Sequence, residues 1–183
     1  IQRSFSGINV SASDNEYPSQ DTKRIHIHDN LIVLDSSLGT GGGKALQILN
    51  MGGHVTEDIR IEHNTVRNSG VWGFHGEPNQ GKHPGSIYHH NIVMHGTYGF
   101  GGSQTSDGNT TIQTYYSLPS FRKNVIVAGS AANWTNYPEQ FFPGTLDAVG
   151  FVNWTAGDYR LAASSPSKNA GTDGKDIGAD IDL

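Results

Sequence analysis

The chain has 183 residues, no cysteine, 24 glycines, 16% charged residues and a net charge of −5 at pH 7. That length suits one domain with a sizeable core. The acidic balance argues against a nucleic acid or an anionic membrane as partner, no apolar run reaches the length of a membrane span, and the lack of cysteine excludes a disulfide framework.

In chain order, residues 7–11 read as a short strand with Ile8 and Val10 on one side. The chain opens on Ile1-Gln2-Arg3, without an initiator Met, and no helix precedes this strand. These features predict a mature or excised piece. Its open N-terminal end would meet upstream coils or another chain. A polar, turn-rich loop follows over residues 11–23. Then comes Ile25-His26-Ile27-His28-Asp29-Asn30-Leu31-Ile32, the first copy of a phrase that reads Ile-x-Ile-x-x-Asn-x-Val in its clearest form. It recurs around Asn64 and Asn91, and more loosely around Asn124, at spacings of 34, 27 and 33 residues. Such repetition marks a solenoid with insertions in its loops. Each phrase reads as strand, sharp turn, strand. Asn tolerates a left-handed backbone, so it is expected to make the corner itself, and stacked asparagines are expected to form an amide ladder.

The glycine run at residues 39–43 lacks the Gly-Lys-Ser/Thr ending and the Gly-x-Gly-x-x-Gly spacing of nucleotide loops, so it reads as a tight turn. Third strands follow around residues 45–49, 73–77 and 99–103. Matching their Gly-aromatic pairs puts Ile8, Leu46, Phe74 and Phe100 inward and Asn9, Gln47, His75 and Gly101 outward. Residues 102–118 and 130–148 read as long loops, the second rich in aromatics. The coils thus fill 1–148, and residues 149–183 form a closing segment suited to covering the last coil.

The repeated phrase, with Gly-aromatic strands between copies, resembles the right-handed parallel β-helix superfamily, the architecture of pectate-lyase-like proteins. The closing run Asp158-Tyr159-Arg160-Leu161, Ser165-Pro166, Ala170-Gly171, Asp176-Ile177-Gly178-Ala179 is similar to the C-terminal end of many secreted bacterial members. The resemblance implies an all-β, right-handed solenoid of about four coils with a C-terminal cap. It implies a secreted, carbohydrate-active protein, part of a polysaccharide lyase or glycoside hydrolase acting on an extracellular polysaccharide. Tailspikes and adhesins share the architecture, so a non-catalytic structural or glycan-binding module is the alternative. The Asn-Thr-Asp, Asp-Asp, Gly-His-Gly and Arg-Ile-Lys elements of pectinase-type hydrolases do not occur here.

The residues themselves single out His75 and Glu77 as a catalytic acid–base pair, because a spacing of two on a strand puts both on one face. Asn9 and Gln47 are expected to bind sugar hydroxyls beside them. Trp72 and Tyr98 flank the same row and offer stacking surfaces, and Arg60, with Arg67, Lys44 and Lys82, offers cations for uronate carboxylates. All nine histidines lie between His26 and His95. His28, Glu62, His89 and Arg122 align outward as a ladder rather than a metal site, and no metal ligands are assigned. No cofactor is expected. Calcium is the one ion left open, through Asp173, Asp176, Asp180 and Asp182, although these lack the spacing of a known calcium loop.

Overall fold

Each copy of the phrase forms two short strands joined by a corner, and the copies stack in register. This is seen in a computed structural model that describes every residue except Asn15, Pro18, Gly41, Gly42, Ser69, Pro78 and Leu183. The middle of the glycine turn at 39–43 therefore lies outside the described residues.

Three parallel sheets result, each taking one strand from successive repeats. Sheet I comprises His26–His28, Arg60–Glu62, Ile87–His89 and Ser120–Arg122. Sheet II comprises Gln2–Ser4, Leu31–Leu34, Thr65–Arg67, Ile92–Met94 and Val125–Val127. Sheet III comprises Ile8–Ser11, Lys44–Leu49, Val71–His75 and Gly99–Gly102. A two-stranded parallel pair, His83–Pro84 with Tyr116–Ser117, lies before sheet I in the repeat. The predicted row His28, Glu62, His89 and Arg122 is the observed register of sheet I.

The core fills the space between the sheets. Sheet I contributes Ile27, Ile61, Tyr88 and Phe121, and sheet II contributes Ile32, Val66, Val93 and Ile126. Sheet III adds Leu46, Ile48 and Phe100. Burying each such side chain is worth about 1.5–3 kcal/mol. Sheet II is covered on both faces. Its outer residues Ile92, Val125 and Val127 pack against Val149, Phe151, Tyr159 and Ile177. Burial on both faces explains why its strands read as nearly unbroken Val/Ile/Leu runs.

The corner between sheets I and II differs from the expectation in one respect. The left-handed residue is the one before each asparagine: Asp29, His63, His90 and Lys123, with φ of 52, 52, 56 and 52°. The asparagines instead turn their amides inward. Asn30 Nδ2 donates to Asn64 Oδ1 at 3.0 Å, Asn64 Nδ2 to Asn91 Oδ1 at 3.0 Å, and Asn91 Nδ2 to Asn124 Oδ1 at 2.9 Å. Gln140, from the second insertion, extends the ladder, its Oε1 accepting from Asn124 Nδ2 at 2.8 Å.

The insertions are structured. Asn109–Tyr115 forms an α-helix within the predicted loop 102–118, burying Thr111, Ile112 and Tyr115. Its Thr-rich sequence gives no strong helical period, so tertiary burial decides its fold. In the second insertion Trp134 is fully buried, and Tyr137 and Phe142 pack on the same core. The closing segment opens with an antiparallel hairpin, Phe151–Asn153 with Asp158–Leu161. It then runs along the outer side of sheet II. Gly178 N donates to His90 O, Ala179 N to Thr65 Oγ1, and Asp180 N to Asp29 Oδ1. Among the described residues no helix is long and apolar enough to cross a membrane.

Candidate functional site: a cleft on the outer face of sheet III

Sheet III carries a register change that the Gly-aromatic match conceals. Gly99 pairs with Val71 but Phe100 pairs with Gly73, so Trp72 is an extra residue opposite one bond of the facing strand. A bulge of this kind shifts every later side chain to the other face. Gly73, not Phe74, therefore takes the inward column with Leu46 and Phe100. A Cβ at Gly73 would lie 2.4 Å from the Phe100 ring, so the missing side chain makes room for that ring.

The proposed outward pair is corrected accordingly. His75 points inward and is fully buried. Its Nδ1 donates to Gly101 O at 3.0 Å, and its Nε2 accepts from Tyr116 OH at 2.5 Å. Tyr116 OH in turn meets Tyr88 OH at 2.6 Å. Burial pushes the His75 imidazole down to about 3, so it stays neutral. Glu77 lies beyond the strand end, exposed, accepting from Ser103 Oγ at 3.3 Å. The two side chains thus face opposite ways and form no acid–base pair. Trp72 is also fully buried, stacked on Trp134 with centroids 6.2 Å apart, and offers no surface to a sugar. Arg60 sits on the outer face of sheet I, its Nε 3.2 Å from Glu62 Oε2, away from sheet III. Asn9 is exposed and registers beside Gln47.

The bulge brings Phe74 outward instead, in one row with Gln47 and Gly101. This row floors a cleft of about 830 Å³. Its walls come from Phe5, from Tyr98 and from the insertions, through Thr105, Asp107 and Asn133. Of the predicted binding residues, Gln47 and Tyr98 line it, and Tyr98 is 61% exposed. The size falls within the usual range for ligand sites, about 300–1,000 Å³.

Among the described residues, three charged or titratable groups line the cleft besides the Tyr98 phenol: Lys44, His95 and Asp107. Lys44 Nζ lies 4.2 Å from the centroid of the Phe74 ring, and among the described residues no carboxylate pairs with it. His95 Nδ1 lies 2.7 Å from Gly96 O. A carbonyl only accepts, so Nδ1 carries the proton and neutral His95 keeps its lone pair on Nε2. That atom is 3.4 Å from Asp107 Oδ2. Asp107 is itself fixed, because Oδ1 accepts from Phe100 N at 2.8 Å and Oδ2 from Asn133 Nδ2 and Trp134 Nε1 at 3.1 and 3.2 Å. Gly99 between them has φ +63°, and a Cβ there would lie 2.3 Å from Asp107 Oδ1 and 2.5 Å from His95 Nε2. Glycine is what lets both side chains approach.

His95, Asp107, Phe74 and Asn133 are absent from the sequence-based candidates, and Lys44 figures there only among scattered cations. The one available signal was insertion length, since loops carried on a rigid repeat are where binding groups collect. No known protein family matches the chain, and neither a curated protein nor a solved structure matches it.

Proposed function

We propose that the chain is a right-handed parallel β-helix of the pectate-lyase-like kind, and that it acts outside the cell on an acidic polysaccharide bound in the sheet III cleft. The observation that carries this reading is Lys44, an ammonium with no carboxylate partner among the described residues, beside an exposed tyrosine, a glutamine amide and a histidine whose Nε2 stands next to Asp107. Tyr98 stacks on a sugar ring, Gln47 and Asn133 bind hydroxyls, and Lys44 meets the uronate carboxylate. This chemistry favours a lyase over a hydrolase. Asp107 is the single carboxylate lining the cleft among the described residues, whereas glycoside hydrolysis uses two.

In the elimination, His95 Nε2 takes the proton α to the uronate carboxylate. The electron pair left behind forms the C4–C5 double bond as the C4–O bond breaks. The leaving oxygen takes a proton from solvent. Lys44 balances charge growing on the carboxylate, and Asp107 holds the imidazolium formed on His95.

A panel of neutral and acidic polysaccharides tests this, with unsaturated uronate ends read by ultraviolet absorbance and reducing ends read in the same tubes. The expected result is unsaturated ends from an acidic substrate, a loss of about 100-fold or more in kcat for His95→Gln, and a raised KM for Tyr98→Ala at unchanged melting temperature. Reducing ends without unsaturation would replace the lyase with a hydrolase. Saturable binding without any cleavage would make the cleft a glycan-binding module, a reading favoured by the full hydrogen-bonding of Asp107.

A further inference from the structure

A second constellation lies at the corner between sheets I and II, apart from the cleft. His63 and His90 are the left-handed corner residues of successive repeats, so their rings project from the same corner one above the other, with centroids 4.7 Å apart. The closing segment brings Asp173 to them. His90 Nδ1 lies 3.1 Å from His63 Nε2, and His63 Nε2 lies 2.9 Å from Asp173 Oδ2. The three ligand atoms fall within 4.8 Å of one another.

Proton placement at this cluster is revealing. His63 Nδ1 is 3.0 Å from Asp176 O, which only accepts, so Nδ1 carries the proton and Nε2 of the neutral ring bears a lone pair. That lone pair then faces the Asp173 carboxylate, two acceptors at hydrogen-bond distance with nothing between them. The contact calls for a cation. His90 Nε2 accepts from the Thr172 amide at 3.0 Å and lies 2.9 Å from the Thr172 hydroxyl, so Nδ1 carries the proton of the neutral ring and faces His63 Nε2 at 3.1 Å, where a bound ion displaces that proton. The second oxygen of Asp173 accepts from Lys175 N at 3.1 Å. Every ligand thus has its far atom held by a second partner, the arrangement that orients metal ligands.

We propose that His63, His90 and Asp173 form a binding site for a zinc-type divalent cation, which ties the closing segment to two adjacent repeats. Two ligands bound at about 2.0–2.1 Å around one ion stand roughly 3.0–3.4 Å apart, close to the contacts observed. Two imidazoles and one carboxylate suit zinc and its first-row neighbours, whereas calcium takes six to eight oxygens. His90 is buried and His63 nearly so, while the Asp173 side chain is 38% exposed, which leaves water access to a fourth position. The acidic tail thereby contributes one ligand to a histidine site rather than a calcium loop.

The test is zinc titration of the chelator-treated chain, read by competition with a chromophoric chelator and by thermal melting, alongside Asp173→Asn and His63→Gln. Asp173→Asn is nearly isosteric and partly exposed, so it keeps the fold. The expected result is one tight zinc per chain, a raised melting temperature, little response to calcium, and an affinity loss on the order of 10- to 100-fold or more in either variant. Cobalt bound at the same site should give the visible bands of a low-coordinate centre. Absence of stoichiometric zinc uptake would overturn the proposal. Equal uptake by wild type and both variants would also overturn it, assigning the metal to exposed histidines elsewhere, such as His26 or His54.

Discussion

Replacing Asn91 by alanine tests whether the amide ladder holds the repeats together. Asn91 Nδ2 donates to Ile61 O, His89 O and Asn124 Oδ1, and Asn91 Oδ1 accepts from Asn64 N and Asn64 Nδ2. Some of these groups keep other partners after the substitution. His89 O still accepts from His63 N, Asn124 Oδ1 from Asn91 N, and Asn64 Nδ2 still donates to Ile27 O and Glu62 O. Ile61 O keeps the ladder bond that the His89–Glu62 register gives it, whereas Asn64 N loses its side-chain partner in the buried corner. That buried orphan costs about 1–3 kcal/mol, against a total stability on the order of 5–15 kcal/mol. Water entering the vacated space would place the result at the lower end. Asn30 gives the internal comparison. It ends the ladder, is only partly buried, and donates to His28 O and Asn64 Oδ1. Asn30→Ala should cost about 1 kcal/mol or less, because water can take over there. Urea unfolding followed by far-ultraviolet circular dichroism measures both. Equal destabilisation by the two substitutions would refute the reasoning, since the cost would then be independent of burial within the ladder.

Two further expectations concern the interior beside sheet III. His75 and His83 are held neutral by burial, at about 3 and about 4, below the ordinary value of 6.5. Their contribution is complete above about pH 6.5 and is lost as pH falls toward those folded values, because the unfolded chain takes up the protons first. Melting temperature should therefore drop between pH 6.5 and 4, with a shallower drop in His75→Gln; an unchanged slope in that variant would remove His75 from the account. Gly73→Ala should destabilise by about 1–3 kcal/mol, because the Phe100 ring it meets is itself fully buried. Phe100→Leu in the same chain should recover part of that loss, and strict additivity of the two would show that no clash exists.

The repeat was legible because it imposes the same demand at each copy. An inward Ile or Val, a polar neighbour and an asparagine amide recur wherever two strands meet a corner, and the register of sheet I follows from them. The identity of the left-handed residue was not legible from propensity. Asn, Asp and His all favour that region, and only the ladder geometry shows that the asparagine is spent on hydrogen bonds while its predecessor turns. The bulge at Trp72 was invisible for a related reason. Gly73-Phe74 and Gly99-Phe100 look like equivalent pairs, and only core packing shows that the Phe100 ring occupies the space over Gly73. That one-residue slip misassigned His75 and Trp72, and it hid Phe74. His95 and Asp107 come together through the turn and the insertion that follow sheet II and sheet III, a meeting that no local pattern encodes.

The corner column also shows how a preference of the backbone and a site of chemistry share the same residues. A histidine with φ near +50° needs no ligand to explain it, and His63 or His90 alone would be accounted for by the turn. The turn does not account for Asp173, which arrives from a segment 110 residues further along the chain than His63. Nor does it account for the Asp176 carbonyl and the Thr172 hydroxyl, each set against the far nitrogen of one ring. If the closing segment served only to cover the apolar outer face of sheet II, Ile177 and the hairpin would suffice, and the stretch around Asp173 would have no reason to meet the corner with acceptors. The Asp173 carboxylate faces the His63 Nε2 lone pair there, which costs stability unless a cation is shared between them. The repeat thus supplies two stacked imidazoles as a by-product of turning the chain, and the closing segment converts them into a candidate site.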